Sequence, residues 1–272
     1  MLCAIDIGNT NIVLGLFDGP TLRAQWRIST HHHRTADEYA ALINDLLRSQ
    51  GLELHKVTGV IFSCVVPALS PVFHELSRRI VKIEPLEVGH AIASGLTLRI
   101  DNPAELGADR LVNAAAGYAR YGGPLIIVDF GTATTICAVT ARGEYLGGSI
   151  APGIWTAAEA LFERASKLPR IDLVRPASAI GTNTVTGMQA GILIGFAGLA
   201  GALIRRTQTE MMQGGAAKPR VIATGGLAQL IAPECPEIDE VNPTLTLEGL
   251  RLLYELNRPG AANAPARRKS PS

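Results

Sequence analysis

The chain has 272 residues, of which 47% are hydrophobic, 18% charged and 5% aromatic, which is typical of a folded globular protein rather than a disordered or fibrous one. The 25 Lys and Arg residues nearly balance the 24 Asp and Glu residues, and no basic stripe occurs before the C-terminal tail, so we expect no nucleic acid partner. The four cysteines lie far apart and match no zinc or redox spacing, which indicates reduced thiols in a cytoplasmic protein.

The first predicted elements are a β-hairpin and a third strand, over Leu2 to Ile28. An apolar run ends in Asp6, a turn at Gly8 follows, and Asp18-Gly19 separates the second apolar run from the third. Because Asp6 interrupts the first apolar run and no basic residue precedes it, we expect no secretory signal.

Helix and strand then alternate. Thr35 and Glu38 have the spacing of a capping box, and Gly51 ends the helix that they begin. The predicted apolar face of this helix comprises Tyr39, Leu42, Ile43, Leu46 and Leu47. Val57 to Val66 is predicted to be a buried strand, and a second helix is predicted to begin within Asp101 to Glu105 and to continue from Arg110 to Tyr121.

The second half repeats the first. Asp129 and Gly131 lie 123 residues after Asp6 and Gly8, within a similar hairpin and third strand over Leu125 to Ile150. The later predicted elements are helices at about 154–165, 185–212 and 246–257 and a strand at 221–223. The uncharged stretch 190–204 is too short for the roughly 20 residues of a membrane span, so we expect no membrane partner but a buried helix between domains or subunits.

This order predicts an α/β protein with two similar domains that face each other across a cleft. The predicted domains are residues 1–118, with the first Gly turn, and residues 119–258, with the second. Residues 259–272 are rich in Pro, Ala and basic residues and are predicted to be a disordered tail.

The two Gly turns contain the polar groups that could bind a ligand. Asp6 to Asn11 offers backbone amides, an amide side chain and a hydroxyl around Gly8, which suits the oxygens of a phosphate chain. Asp6 could hold Mg²⁺, directly or through water, because hard cations prefer oxygen ligands. Asp129 to Thr135 presents similar groups from the opposite wall. The alternative is that these Asp and Asn side chains only stabilise their own turns.

A third Gly turn, Ala223 to Leu227, follows a β-branched strand and precedes a helix. Its backbone could approach a flat ligand such as adenosine, although an ordinary strand-to-helix turn has the same pattern. The sequence contains neither GxxxxGK[ST] nor GxGxxG, so a P-loop is excluded and a dinucleotide-type fold is not favoured.

The motifs together resemble a known family. Paired hairpin phosphate motifs are similar to those of the superfamily of acetate and sugar kinases, the heat-shock 70 ATPase and actin, and the finer pattern resembles the type III pantothenate kinases of bacteria. The matching stretches, in family order, are Asp6 to Asn11, Gly107 to Arg110, Asp129 to Thr135, Gly147 to Gly153, Lys167 to Arg170, Asn183-Thr184, Met188 to Gly191 and Ala223 to Leu227.

The resemblance implies two ribonuclease H-like domains with mixed sheets flanked by helices, a nucleotide cleft, and a cytoplasmic homodimer with composite active sites. It implies ATP-dependent phosphorylation of pantothenate, the first step of coenzyme A biosynthesis, with Mg²⁺ and a monovalent cation, K⁺ or NH₄⁺. The implied ATP contacts are Asp6, Ile7, Gly8, Asn9, Thr10, Asn11, Ile12, Val13 and Thr132. The implied pantothenate contacts are Gly107, Ala108, Asp109 and Arg110, with Thr184 from the neighbouring subunit. Asp109 would accept the proton, and Asp129 would bind the monovalent cation.

Several alternatives stay open. Asp109-Arg110 could be a structural ion pair at a helix start. Ile100 stands where several relatives carry Tyr, which removes a hydroxyl from the substrate pocket. We expect His31 to His33 to form a solvated loop rather than a metal site, and Trp26 and Trp155 to pack in the core. A non-catalytic regulatory homologue and a kinase of another small hydroxyl substrate are the competing functions.

Overall fold

The structure is a computed structural model that describes residues 1–258, so the predicted disordered tail at 259–272 lies outside the described residues. Two sheets flanked by helices form the molecule. The first sheet has the strand order β3-β2-β1-β4-β5, in which β1 is antiparallel to β2 and parallel to β4. The strands are β1 (Leu2–Ile7), β2 (Asn11–Asp18), β3 (Thr21–Ser29), β4 (Gly59–Cys64) and β5 (Leu86–Glu87).

Helices α1 (Ala36–Ser49) and α2 (Ser70–Glu75, continued by a π-helical segment over Leu76–Val81) follow β3 and β4. The predicted capping box is confirmed, since the Thr35 side chain accepts a hydrogen bond from the Glu38 amide while the Glu38 carboxylate accepts one from the Thr35 amide. Tyr39, Ile43 and Leu47 are buried against the sheet.

The predicted start of the second helix within 101–105 is wrong. Asn102 caps only a short 3₁₀ turn at Pro103–Glu105, and the backbone is extended at Leu106 and again at Gly107. The main helix α3 therefore begins later and spans Ala108–Tyr121. As a result, Asp109 lies in the first turn of α3 rather than inside a longer helix.

The second sheet repeats the first and confirms the internal duplication. Its order is β11-β10-β7-β8-β9-β6, with β7, β8 and β9 arranged as an antiparallel meander like β1, β2 and β3. The strands are β6 (Thr97–Leu98), β7 (Leu125–Phe130), β8 (Ala133–Val139), β9 (Glu144–Pro152), β10 (Arg220–Thr224) and β11 (Glu240–Val241). The remaining helices are α4 (Ile154–Arg164), α5 (Thr184–Met211), α6 (Ala228–Ile231) and α7 (Leu245–Asn257).

Each half of the sequence contributes one element that packs against the sheet of the other half. The short strand β6 precedes position 118 in the chain but pairs with β9 of the second sheet. Helix α7 comes from the C-terminal half, yet its Leu247 and Leu250 pack with Ala4 and Val112 in the core beside the first sheet. The division at 118/119 therefore stays a prediction, and α3 and α7 pack together between the sheets that it separates.

Helix α5 is buried along one face only, which corrects the expectation of a fully buried helix. Ile192, Ala197 and Ile204 pack in the second core, whereas Gly191 and Gly195 are exposed. Among residues 1–258 it is the one helix whose length and composition would allow a membrane span, and half of its most apolar stretch is buried inside the protein.

The two tryptophans differ in burial. Trp26 is partly buried against the first core, as expected. The prediction for Trp155 is wrong, because this side chain is 46% exposed on α4.

Candidate active site

The two predicted phosphate loops meet. The hydroxyl oxygens of Thr10, between β1 and β2, and of Thr132, between β7 and β8, lie 2.9 Å apart. Each loop is a tight turn, in which the amide of Gly8 donates to Asn11 O at 3.0 Å and the amide of Gly131 donates to Ala133 O at 3.1 Å. The loops therefore form one continuous polar surface.

Two hydroxyl groups from neighbouring elements hold these loops in place. The Thr30 hydroxyl, just after β3, donates to the carbonyl of Gly8 at 2.6 Å. The Thr156 hydroxyl, in the first turn of α4, donates to the carbonyl of Thr132 at 3.0 Å. Both carbonyls are thereby satisfied within the protein, and the amides of Asn9, Thr10 and Thr132 have no hydrogen-bond partner described in the protein, which leaves them for a ligand.

Asp6 is the next-to-last residue of β1, just before the first loop. Ser63 lies opposite it in the parallel register of β4, and the Ser63 hydroxyl donates to Asp6 Oδ1 at 2.7 Å. The pKa of Asp6 is raised to about 6, chiefly by burial and less by the charge of Asp109, while the Ser63 hydrogen bond lowers it. The carboxylate thus has one oxygen fixed by Ser63 and lacks a neutralising cationic side chain among the described ion pairs.

Asp129 occupies the corresponding position at the end of β7. Asn113 of α3 donates from Nδ2 to Asp129 Oδ2 at 2.9 Å, and the Thr246 hydroxyl of α7 donates to Asn113 Oδ1 at 2.7 Å. Burial and the charges of Asp109 and Asp6 raise the pKa of Asp129 to about 7, and the Asn113 hydrogen bond opposes them. Asn113 of α3, itself held by Thr246 of α7, therefore fixes one carboxylate oxygen of Asp129.

Asp109 is the third carboxylate of the site. Burial raises its pKa, although hydrogen bonding to the Arg110 amide at 2.7 Å and the Arg110 charge lower it. Its charge acts on both Asp6 and Asp129, so the three acids lie within one electrostatic environment. The roles assigned to these three residues stay predictions.

Arg110 does not form the structural ion pair with Asp109 that we considered. Within residues 1–258, its side chain instead donates from Nε to the sulfur of Cys137 at 3.3 Å. The Tyr145 hydroxyl donates to the same sulfur at 3.4 Å, and the guanidinium carbon lies 6.0 Å from the centre of the Tyr145 ring.

The third Gly turn borders the same site. Gly225 has a φ of +94°, and a Cβ atom there would overlap the Asp129 carboxylate and the backbone of Phe130. A Cβ at Gly226 would lie 2.8 Å from Arg27 Nη1, so a side chain of β3 reaches this turn from the other half. The turn between β10 and α6 thus places bare backbone next to the phosphate loops.

Other predicted residues lie elsewhere. Thr184 is exposed at the start of α5, whose N-terminus is capped by the Asn183 side chain, and no hydrogen bond described for this chain links it to the three acids. Ile100 is half-buried beside the core around Tyr145. His31 to His33 are exposed in a loop, as expected.

The acids alone do not form a complete metal cage. Residues 1–258 contain no group of three or more His, Cys, Asp and Glu side chains arranged to hold a metal ion. Mg²⁺ retains several waters and binds proteins through one or two carboxylates together with substrate phosphates. Asp6 and Asp129 fit that mode of binding, since each is half-buried and has one oxygen fixed by a hydrogen bond.

Comparison with known proteins identifies the family. The type III pantothenate kinase family model matches residues 2–206. The chain belongs to the type III pantothenate kinase family. It is 55% identical to the type III pantothenate kinase of Geobacter sulfurreducens, over 95% of this chain and 100% of that protein. It is 53% identical to the enzyme of Moorella thermoacetica, over 94% of this chain and 100% of that protein.

Solved structures show the fold. A chain from Campylobacter jejuni, described as a Baf family transcriptional activator, superposes with a TM-score of 0.58 at 19% identity and covers 94% of this chain and 98% of its own. A 2-dehydro-3-deoxygalactonokinase from Sinorhizobium meliloti superposes with a TM-score of 0.55 at 13% identity, over 95% of this chain and 100% of its own. The family match and the relatives at 50–55% identity, rather than these structures, show the activity: the chain is a phosphotransferase of the type III pantothenate kinase family, and it uses ATP and a divalent metal in coenzyme A biosynthesis.

Proposed function

We propose that the chain transfers the γ-phosphoryl group of ATP to the primary hydroxyl of pantothenate, with Asp109 as the proton acceptor, to give 4'-phosphopantothenate. The observation that supports this assignment is that the two loops meet at Thr10 and Thr132, with Asp6 and Asp129 beside them and both influenced by the charge of Asp109. Phosphoryl transfer has a loose transition state, so the protein mainly aligns the acceptor hydroxyl and stabilises charge on the phosphate oxygens.

The loops supply the nucleotide contacts. The loop from Asp6 to Val13 and the Thr132 hydroxyl bind the triphosphate, because the Thr10 and Thr132 hydroxyls meet where the two Gly turns come together. The Gly225-Gly226 turn receives the adenosine, since Gly225 lies against Asp129 and the turn therefore borders the phosphate loops. ATP thus lies between the two sheets.

Two kinds of cation complete the charge balance. Asp6 holds the divalent metal and Asp129 holds a monovalent cation, because both acids are half-buried and each has one oxygen held in a hydrogen bond. When bound, these cations neutralise charge on the phosphate oxygens. Asp6 and Asp129 contribute orientation: Ser63 and Asn113 prevent rotation of their carboxylates.

Asp109 has the environment of a general base. Its pKa is raised by burial, which brings a carboxylate closer to the operating pH and improves proton transfer. Its position in the first turn of α3, after the turn at Gly107, lets the backbone of Gly107 and Ala108 line the same site. Arg110 supplies donors for the oxygens of the substrate.

We propose that the enzyme is a cytoplasmic homodimer with no membrane partner. The exposed face of α5 carries Gly191, Ile194, Gly195 and Gly198, a surface of small and apolar residues that permits close helix packing. Thr184 lies at the N-terminal end of this helix, so pairing of α5 between copies would bring it to the neighbouring active site.

The test is a coupled assay with ATP, Mg²⁺, K⁺ and pantothenate on the wild type and on Asp109→Asn. We expect turnover by the wild type and a loss of at least about 100-fold in the variant, which retains the shape but not the proton acceptor. Asp101→Asn, an exposed acid before α3, is the matched control and should leave the rate unchanged. Equal rates for wild type and Asp109→Asn would remove Asp109 from its role, and no turnover by the wild type would favour the regulatory alternative.

A further inference from the structure

Arg110 is anchored by sulfur rather than by a carboxylate. Its Nε donates to Cys137 on β8, and Tyr145 on β9 donates its hydroxyl to the same sulfur. Cys137 and Tyr145 are both buried, at 2% and 0% exposure, so this anchor is a fixed part of the core cluster around Tyr145, which is separate from the cluster beneath α5. Other arginines behave differently: Arg120 pairs with Glu248 and Arg220 with Glu240.

The chemistry of the anchor leaves Arg110 able to bind an anion. A thiol is a weak, neutral acceptor, so it orients the guanidinium without neutralising its charge. Burial raises the pKa of Cys137, which keeps the sulfur protonated. With Nε occupied, the two terminal nitrogens remain, and within the described chain they have no hydrogen-bond partner. Two parallel N–H groups of a guanidinium match the two oxygens of a carboxylate.

The place of Cys137 and Tyr145 in the sheet indicates which anion Arg110 could bind. Cys137 lies five residues beyond Thr132 on β8, which is about 16 Å along the strand at roughly 3.3 Å per residue. The anchor is therefore well separated from the phosphate loops. Pantothenate carries its reacting hydroxyl and its carboxylate at opposite ends, so a substrate whose hydroxyl points to ATP would extend its carboxylate away from the loops.

We propose that Cys137 and Tyr145 are positioning residues that aim the Arg110 guanidinium at the carboxylate of pantothenate and so set the preference for an anionic substrate. This inference rests on the proposed role of Arg110 in the substrate site. It adds two buried residues, from strands outside the family's substrate motif, to the specificity of that site.

The test compares two substrates with the same reacting hydroxyl: pantothenate, and its alcohol analogue pantothenol, which lacks the carboxylate. For Cys137→Ala and Tyr145→Phe we expect the KM for pantothenate to rise about 5- to 20-fold, with kcat changed less than about twofold, because a binding group has lost its orientation. The KM for pantothenol should stay unchanged. Cys137→Ser retains an acceptor and should fall between wild type and Cys137→Ala.

Two controls separate the outcomes. Cys235→Ala removes another buried thiol in the other core of the second half and should leave both KM values unchanged. Arg110→Met should abolish the preference for pantothenate over pantothenol; if it does not, the proposed role of Arg110 fails.

Each variant must unfold cooperatively on heating and keep the wild-type KM for ATP. If only one of the Cys137 and Tyr145 variants folds, that variant alone is sufficient for the test. If Arg110→Met loses the preference while the folded Cys137 and Tyr145 variants retain it, the positioning role is overturned. An equal rise in KM for both substrates would also overturn it, because that result indicates a general structural effect.

Discussion

The Thr10 and Thr132 hydroxyls, 2.9 Å apart and 122 residues apart in sequence, join the two copies of the repeated loop into one binding surface. Each threonine belongs to a turn that is held by a hydroxyl from another element of its own half, Thr30 in one case and Thr156 in the other. The contact therefore joins two loops that are each held in place by their own half of the chain. The distance between the two hydroxyls depends on how the two halves are positioned relative to each other.

Replacement of both threonines tests whether the loops act together. We expect Thr10→Val and Thr132→Val each to weaken ATP binding about 5- to 10-fold, because each loses a hydroxyl that faces the phosphates. The double variant should lose less than the sum of the two, with a coupling free energy of about 0.5–1 kcal/mol. Calorimetric titration with a non-hydrolysable ATP analogue measures this, and Thr21→Val, an exposed threonine of β3, is the control. Strict additivity would show that the two hydroxyls act separately.

Ser63 is expected to set the acid limb of the pH–rate profile through Asp6. Its hydrogen bond lowers the pKa of Asp6, so Ser63→Ala should raise that pKa further and move the acid limb of kcat/KM to higher pH. At pH 7 the rate should fall about two- to tenfold, the range given by a rise of about one to two units in the pKa of Asp6. The matched control is Ser77→Ala, another buried serine, whose hydroxyl bonds only to the Ile83 carbonyl. Identical profiles for Ser63→Ala and wild type would contradict the assignment.

The sequence predicted the parts of the site that are repeated or local. Asp6 and Asp129 were identifiable because their strand-turn patterns recur, and Asn113 could have been found four residues after Asp109, on the same face of α3. The hydrogen bond between Ser63 and Asp6 could not be predicted, because the two residues are 57 positions apart in the sequence. It depends on the register between β1 and β4, which the packing of the sheet determines.

Very short strands and contacts between residues distant in the sequence could not be predicted from the sequence. The two residues of β6 are too few to show a period, yet they pair with β9. Thr246 reaches Asn113 only because α7 packs back onto α3 from the other end of the chain. The exposed Trp155 was misplaced because a large apolar residue on a short helix gives no signal of which side faces solvent.

The stability of the ligand-free protein should depend on pH through Asp129. Its folded pKa, about 7, lies above the ordinary value of 3.8, so the folded state binds more protons than the unfolded state between about pH 4 and pH 7. The free energy of unfolding should therefore fall as pH rises through this window. Asp129→Asn removes the group and should raise the free energy of unfolding at pH 8 by about 1–3 kcal/mol, with little change near pH 4.

Urea unfolding at pH 4, 6 and 8, with chelator and without nucleotide, measures this effect. Asp18→Asn, at an exposed position at the end of β2, is the control. The same pH dependence in wild type and Asp129→Asn would show that Asp129 titrates alike in the folded and unfolded states.

Gly225 should not tolerate a side chain. Gly225→Ala requires a positive φ of +94° and also places a methyl group against the Asp129 carboxylate and the Phe130 backbone. Gly214→Ala is a matched control, since Gly214 has a φ of +78° but nothing lies near its added Cβ. We expect Gly214→Ala to cost about 1 kcal/mol through backbone strain alone, and Gly225→Ala to cost about 2–4 kcal/mol and to weaken ATP binding. Equal losses in chemical denaturation would mean that the turn can move away from Asp129.

The exposed glycine face of α5 gives the sharpest test of a composite site. Nothing lies within 4 Å of a Cβ added at Gly195, so Gly195→Arg should leave the folded subunit intact. If two copies pair through this face, the arginine prevents close approach of the helices. We therefore expect Gly195→Arg to be monomeric by sedimentation and to lose at least about 10-fold in kcat/KM for pantothenate, because Thr184 can no longer reach the neighbouring site. Ala41→Arg, on the exposed face of α1, should remain wild-type in both measurements. A monomeric Gly195→Arg with full activity would show that each subunit holds a complete site.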